Sequence, residues 1–364
     1  MKPTRLRLIP VLFIFAEAHA IASAPVKLPP YDREVLPNGI VMYLVPKHES
    51  PLVDLTATIR GGAESEGPGE AGTCAMVADL LRRGTKTRTA AQFSAELDQM
   101  GARFGADVDA QSTTISLEVL SSQIGHATKV FADAILHPVF PKAEVRLERG
   151  RALDYARSLK DSAGDAAWYY FYALLFGDRK SVGRPPSGDE LTLPHVTRAD
   201  ITNYYRRMYV GSNLILVAAG EFDVAEMRAR LVRAFSPMPA GRPYRWMKAI
   251  PAGAPPVPRV VLVDRPGATV TNFVIGVPGI SRTSPDHTAL WLANTILGGG
   301  FTSVLNEALR VTSGLTYGIS SSFDENRMPG AIGISSSTRT GQTGQAIEKT
   351  MALWSGLCEG GFTA

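Results

Sequence analysis

Polar and apolar positions follow two periods along the chain. Val53-Asp54-Leu55-Thr56-Ala57-Thr58-Ile59 alternates residue by residue, which predicts a half-buried strand. Ile40–Val45 predicts a strand before it, and Ile115, Leu117 and Val119, interleaved with Ser116 and Glu118, predict another. Elsewhere the period is helical. Gly72–Arg83 sets Met76, Val77, Leu80 and Leu81 on one side, with Gly84 as the stop. Thr89-Ala90-Ala91-Gln92 reads as a capping box opening a helix through Met100. Ile124, Ala127, Val130, Phe131 and Ile135 share a helical face, which His137-Pro138 ends. Helical patterns follow over 142–160 and 165–175. Thr197-Arg198-Ala199-Asp200 caps a further helix, and Leu214–Ala219 is an apolar strand.

Ser236–Pro258 then carries seven prolines and two glycines, the composition of a linker. After it the order recurs. Strands are predicted at Val260–Val263, Thr269–Val277, Gly318–Ser322 and Ala331–Ser336, and helices at His287–Leu297, Thr302–Leu309 and Thr343–Leu357. Gly101-Ala102-Arg103-Phe104-Gly105 matches Gly314-Leu315-Thr316-Tyr317-Gly318 at an offset of 213, and Ile115-Ser116 matches Ile334-Ser335 at 219. This predicts an internal duplication. The expected organisation is a first domain over 31–235, a linker over 236–258 and a second domain over 259–364, incomplete at its C-terminus. The expected fold class is α+β, each domain an antiparallel sheet packed with helices.

Composition narrows the chemistry. Apolar residues make up 45% of the 364 residues, enough for a sizeable core. A net charge of +4 is too small for a dedicated nucleic-acid binder. Cys74 and Cys358 could form one bridge at most, and no thiolate cluster. Lys2, Arg5 and Arg7, the apolar run Leu8–Ala16 and the small residues Ala18-His19-Ala20 read as a signal peptide over 1–20, with an alternative cut after Ala24. The run is too short to span a bilayer, although an N-terminal anchor is the competing reading. The expectation is an exported, periplasmic protein without a stable membrane span. The six histidines show no i, i+3 or i, i+4 spacing, and neither G-x-S-x-G nor S-x-x-K occurs.

Leu36-Pro37-Asn38-Gly39, Gly72–Thr85, Tyr204–Glu221 and Leu297–Tyr317 resemble segments of the pitrilysin/insulinase family of zinc peptidases, which includes the mitochondrial processing peptidase. The resemblance implies two similar α+β domains forming a half-clamshell. It also implies an H-x-x-E-H motif on the first long helix, whose histidines four apart hold zinc from one face while the glutamate activates water. Anchored on Gly84-Thr85, those positions are Ala75, Ala78 and Asp79. The further glutamate ligand, anchored on Glu148-Arg149, falls at Tyr155. Every position differs from the motif. The family's Arg/Tyr pair, by contrast, is kept with its spacing as Arg310 and Tyr317, where the first repeat has Leu97 and Phe104. The resemblance gives that pair the roles of holding substrate backbone and stabilising an oxyanion; the competing reading is a surface arginine and a core tyrosine. The implied function is a subunit of a heteromeric peptidase with no catalytic group and no cofactor of its own. It would act on peptide substrates beside a zinc-bearing sister subunit. The alternatives are an inert peptide-binding or assembly scaffold, and a peptidase with a displaced metal site.

Overall fold

The computed structural model describes residues 28–177, 183–246 and 259–360. The signal-peptide segment 1–20 and residues 247–258 of the linker lie outside them. From Tyr31 onward the chain forms one compact unit.

The first half holds six strands: β1 (Asp32–Val35), β2 (Val41–Pro46), β3 (Leu52–Arg60), β4 (Arg103–Val108), β5 (Ser112–Leu120) and β6 (Leu214–Gly220). Its helices are α1 (Thr73–Leu80), α2 (Ala90–Met100), α3 (Ile124–Leu136), α4 (Lys142–Asp161), α5 (Ala163–Phe176), α6 (Arg198–Met208) and α7 (Val224–Phe235). The strand order is β1-β2-β6-β3-β5-β4. The all-antiparallel expectation needs one correction, because β2 and β6 pair parallel. The chain reaches β6 only after a crossover through several helices, the kind of connection a parallel pair requires.

Alternation fixes which face is buried. Val53, Leu55, Ala57 and Ile59 of β3 point inward with Ile115, Leu117 and Val119 of β5 and Leu214, Leu216 and Ala218 of β6. Phe131 of α3 sits among them, its ring against Phe104 and Phe235. Each valine, leucine, isoleucine or phenylalanine among them contributes about 1.5–3 kcal/mol on burial. The capping boxes form as the sequence predicts: Thr89 with Gln92 opens α2, and Thr197 with Asp200 opens α6.

Among the described residues the second half repeats part of the plan: β7 (Val270–Pro278), α8 (His287–Leu297), a π-helix (Asn306–Thr312), β8 (Thr316–Phe323), β9 (Ala331–Arg339) and α9 (Thr343–Gly360). β5 starts at Ser112 and β9 at Ala331, and α3 at Ile124 and α9 at Thr343, an offset of 219 each time. The second sheet runs β7-β9-β8, wholly antiparallel. Two predicted elements differ. The helix expected at 302–309 is a π-helix displaced to 306–312. Val260–Val263 forms no strand and lies exposed. Strands β1 and β4 and helix α7 were not anticipated. Residues 236–246 of the linker carry neither helix nor strand. Cys74 is buried and Cys358 exposed, and both are free.

Helix α5 connects the halves. Trp168 lies against Gly333 and Phe171 against Gly276, where a Cβ would come within 2.5 and 2.4 Å of the rings. The Tyr172 hydroxyl donates to Asp324 at 2.9 Å. Glycine on two paired strands is what lets these aromatics approach the second sheet so closely.

Candidate functional site

Helix α1 starts after Gly72, whose left-handed conformation (φ +87°) suits glycine. The Glu66 carboxylate supports that end, accepting from the amides of Gly72 (3.2 Å) and Cys74 (2.8 Å). Burial pushes its pKa up to about 8, against the pull of those two amides. Ala78 is buried and Ala75 half-buried. Asp79 is the one titratable group of the three motif positions. Burial first, then the like charge of Glu148 on α4, pushes its pKa up to about 6. Glu148 is itself buried, with Arg151 at 3.2 Å and Arg83 at 3.8 Å. Tyr155, further along α4, is 54% exposed.

The fold therefore brings α1 and α4 together as the motif would require, but with other chemistry. A zinc site needs about three protein donors. Two methyl groups donate nothing, Tyr155 is turned partly to solvent, and Glu148 is already engaged by two guanidinium groups. These residues do not fit zinc. Among the described residues no group of three or more His, Cys, Asp or Glu is placed to hold a metal ion. Four histidines instead pair singly with carboxylates: His48 with Glu221, His126 with Glu96, His137 with Asp133 and His287 with Glu325.

Arg310 and Tyr317 do come together. The Arg310 guanidinium stands 5.3 Å from the Tyr317 ring centroid and 4.4 Å from that of Phe301. Tyr317 is 87% and Phe301 68% exposed, so the competing reading of a core tyrosine fails. Among the described residues no carboxylate lies within salt-bridge distance of Arg310. Both rings lie within cation–π range of the guanidinium, and its N–H donors have no carboxylate partner among the described residues. Arg310 belongs to the π-helix, a winding that recurs at functional sites. Asn306 on that helix is buried and braces the site, its amide donating to the carbonyls of Gly300 (3.2 Å) and Ile319 (2.8 Å). The sequence reading missed Phe301. The glycine run 298–300 immediately before it was the available signal, because it makes the tight turn that carries the ring. At the equivalent first-half positions, Leu97 and Phe104 pack on the core instead.

The comparisons with known proteins agree with this architecture. The profile described as Insulinase (Peptidase family M16) matches residues 41–166, and that described as Peptidase M16 inactive domain matches 195–364. An uncharacterized zinc protease of Mycobacterium bovis is 30% identical over 83% of this chain and 69% of its own length. One from Streptomyces coelicolor is 29% identical over 79% of this chain and 63% of its own length. The chain thus spans about two thirds of these relatives. The crystal structure of a peptidase M16 inactive domain from Pseudomonas fluorescens superposes with a TM-score of 0.84 at 22% identity, over 92% of this chain and 80% of that one, which shows a shared fold.

Proposed function

The chain belongs to the insulinase peptidase family, M16, and on that premise we propose that it is an exported, non-zinc-binding member that holds peptide for a zinc-bearing partner subunit. The observation that carries this reading is the half-buried cation of Arg310, within cation–π distance of the exposed rings of Phe301 and Tyr317 and with no carboxylate partner among the described residues. Its guanidinium edge presents parallel N–H donors to a peptide carbonyl or carboxylate. The Tyr317 hydroxyl is a neutral donor suited to an oxygen that gains negative charge during acyl transfer. On helix α1 Ala75 and Ala78 offer no donor and Asp79 stands alone, too few ligands for zinc, which supports a hydrolytic centre in a partner.

The test is peptide affinity. Fluorescence anisotropy with a labelled, unstructured casein peptide should show binding by the whole chain. Arg310→Ala should weaken it by ten-fold or more, and Tyr317→Phe by a few-fold. Unchanged affinity in both variants favours the scaffold reading and removes this one.

A further inference from the structure

Among the described residues the two halves share no apolar core. The large cluster draws its side chains from the first half and, through Tyr244, from the linker; the two small clusters draw theirs from the second half alone. Parts joined by directional contacts and not by a common core move against each other unless those contacts prevent it. One set of contacts belongs to α5. Trp168 and Phe171 lie against Gly333 and Gly276, and Tyr172 donates to Asp324.

The other set lies where two equivalent hairpins meet, β4–β5 of the first half and β8–β9 of the second. In the β4–β5 turn Asp109 accepts from the amides of Gln111 (2.6 Å) and Ser112 (2.7 Å), which fixes Gln111 at the tip. The Gln111 side chain then bridges the halves. Its Nε2 donates to Glu64 at 3.1 Å, and its Oε1 accepts from the backbone amide of Arg327, 2.9 Å away in the β8–β9 loop. Glu64 is only 4% exposed, and its second oxygen accepts from the Tyr244 hydroxyl at 3.2 Å. Trp246 stands edge-on to Tyr244, with ring centroids 5.3 Å apart, and the Arg327 guanidinium lies 5.1 Å from its centroid. Burial pushes the pKa of Glu64 up, with Asp109 adding to it, while Gln111, Tyr244 and the charge of Arg327 pull the other way. First half, linker and second half thus converge on one buried carboxylate.

We propose that Gln111, Tyr244, Trp246 and Arg327 form a clasp that closes the joint between the halves, with α5 as the pivot when it opens. Closed, the clasp fixes β8 and the π-helix before it, and with them Arg310 and Tyr317, relative to α1. Its consequence for peptide rests on the reading of Arg310 given above; the clasp itself does not.

The test is a distance measured between spin labels in the whole chain without peptide. One label sits on Cys358, exposed in the second half, and one on Lys129→Cys, exposed on α3; Cys74 is buried. The otherwise unaltered chain should give one narrow distribution. Gln111→Ala and Trp246→Ala should each broaden it about two-fold and speed amide exchange over 325–330 by about five-fold, while α3 keeps its rates. Gln111→Glu places a second carboxylate beside Glu64 and should broaden the distribution too. Adding Glu64→Gln gives that carboxylate a donor again and should return the narrow form. Because no peptide is present, failure of the Arg310 reading would leave these distances as they are. Unchanged width and exchange in both alanine variants would show that α5 alone sets the joint. Broadening by Gln111→Glu that Glu64→Gln does not reverse would trace the effect to local packing. Either result overturns the clasp.

Discussion

The two halves use the same order of elements and bury their apolar residues very differently. The first closes one large core around β3, β5 and β6. The second has two small clusters, five buried residues around Leu305 and Ile334 and three around Phe273. Equivalent positions diverge accordingly: half-buried Phe104 packs against the large core, while its counterpart Tyr317 is exposed. A repeated pattern thus fixes the backbone plan but not the burial. Burial depends on which neighbours are present, and among the described residues no strand lies against the far edge of β7.

The largest effect should come from the cores. Phe131→Ala should cost about 3–5 kcal/mol, because a fully enclosed ring leaves a cavity. Phe273→Ala should cost roughly half as much, because its cluster is small and partly open. Urea unfolding measures both, and equal losses would break the comparison.

The next effect separates two carboxylates of the first half. Burial pushes Asp133 up, but hydrogen bonds from Thr85 and Thr87 and the Arg88 ion pair outweigh it and hold its pKa below the usual value. Its stabilisation is therefore complete above the ordinary carboxylate pKa and fades as pH falls through the lower folded value. Asp133→Ala should cost about 2 kcal/mol at neutral pH, since it leaves the buried Thr85 hydroxyl without its acceptor and removes one of the two carboxylates of half-buried Arg88, which keeps Glu96. A stability difference between wild type and this variant that stays flat from pH 6 to pH 3 would contradict this.

Asp79 has the opposite sign. Its folded pKa, raised to about 6, means that the wild type loses stability as pH rises from about 4 to 6. Asp79→Asn should recover about 1 kcal/mol at pH 7, with solvent screening limiting the gain, and nothing at pH 4. A gain of equal size at both pH values would show that packing, and not charge, is responsible.

Much of this was legible in the sequence, for identifiable reasons. The alternation of Val53–Ile59 and the capping boxes at Thr89 and Thr197 are local signals, and they gave their elements nearly to the residue. The family resemblance pointed to Arg310 and Tyr317, but not to the approach of Phe301, which depends on where the chain after Gly298–Gly300 places the ring. Val260–Val263 has strand composition and forms no strand, because a strand requires a partner that composition does not report. The parallel pairing of β2 with β6 was equally hidden, since it joins segments far apart in the chain.

The central proposal is that α1 has no grip on metal while Arg310 and Tyr317 serve to hold peptide. Metal analysis of the purified chain after equilibration with zinc, read alongside peptide cleavage, tests it most directly. The account predicts well under one tightly held zinc per chain and no cleavage. One tight zinc per chain, with cleavage that a chelator abolishes and added zinc restores, would contradict it.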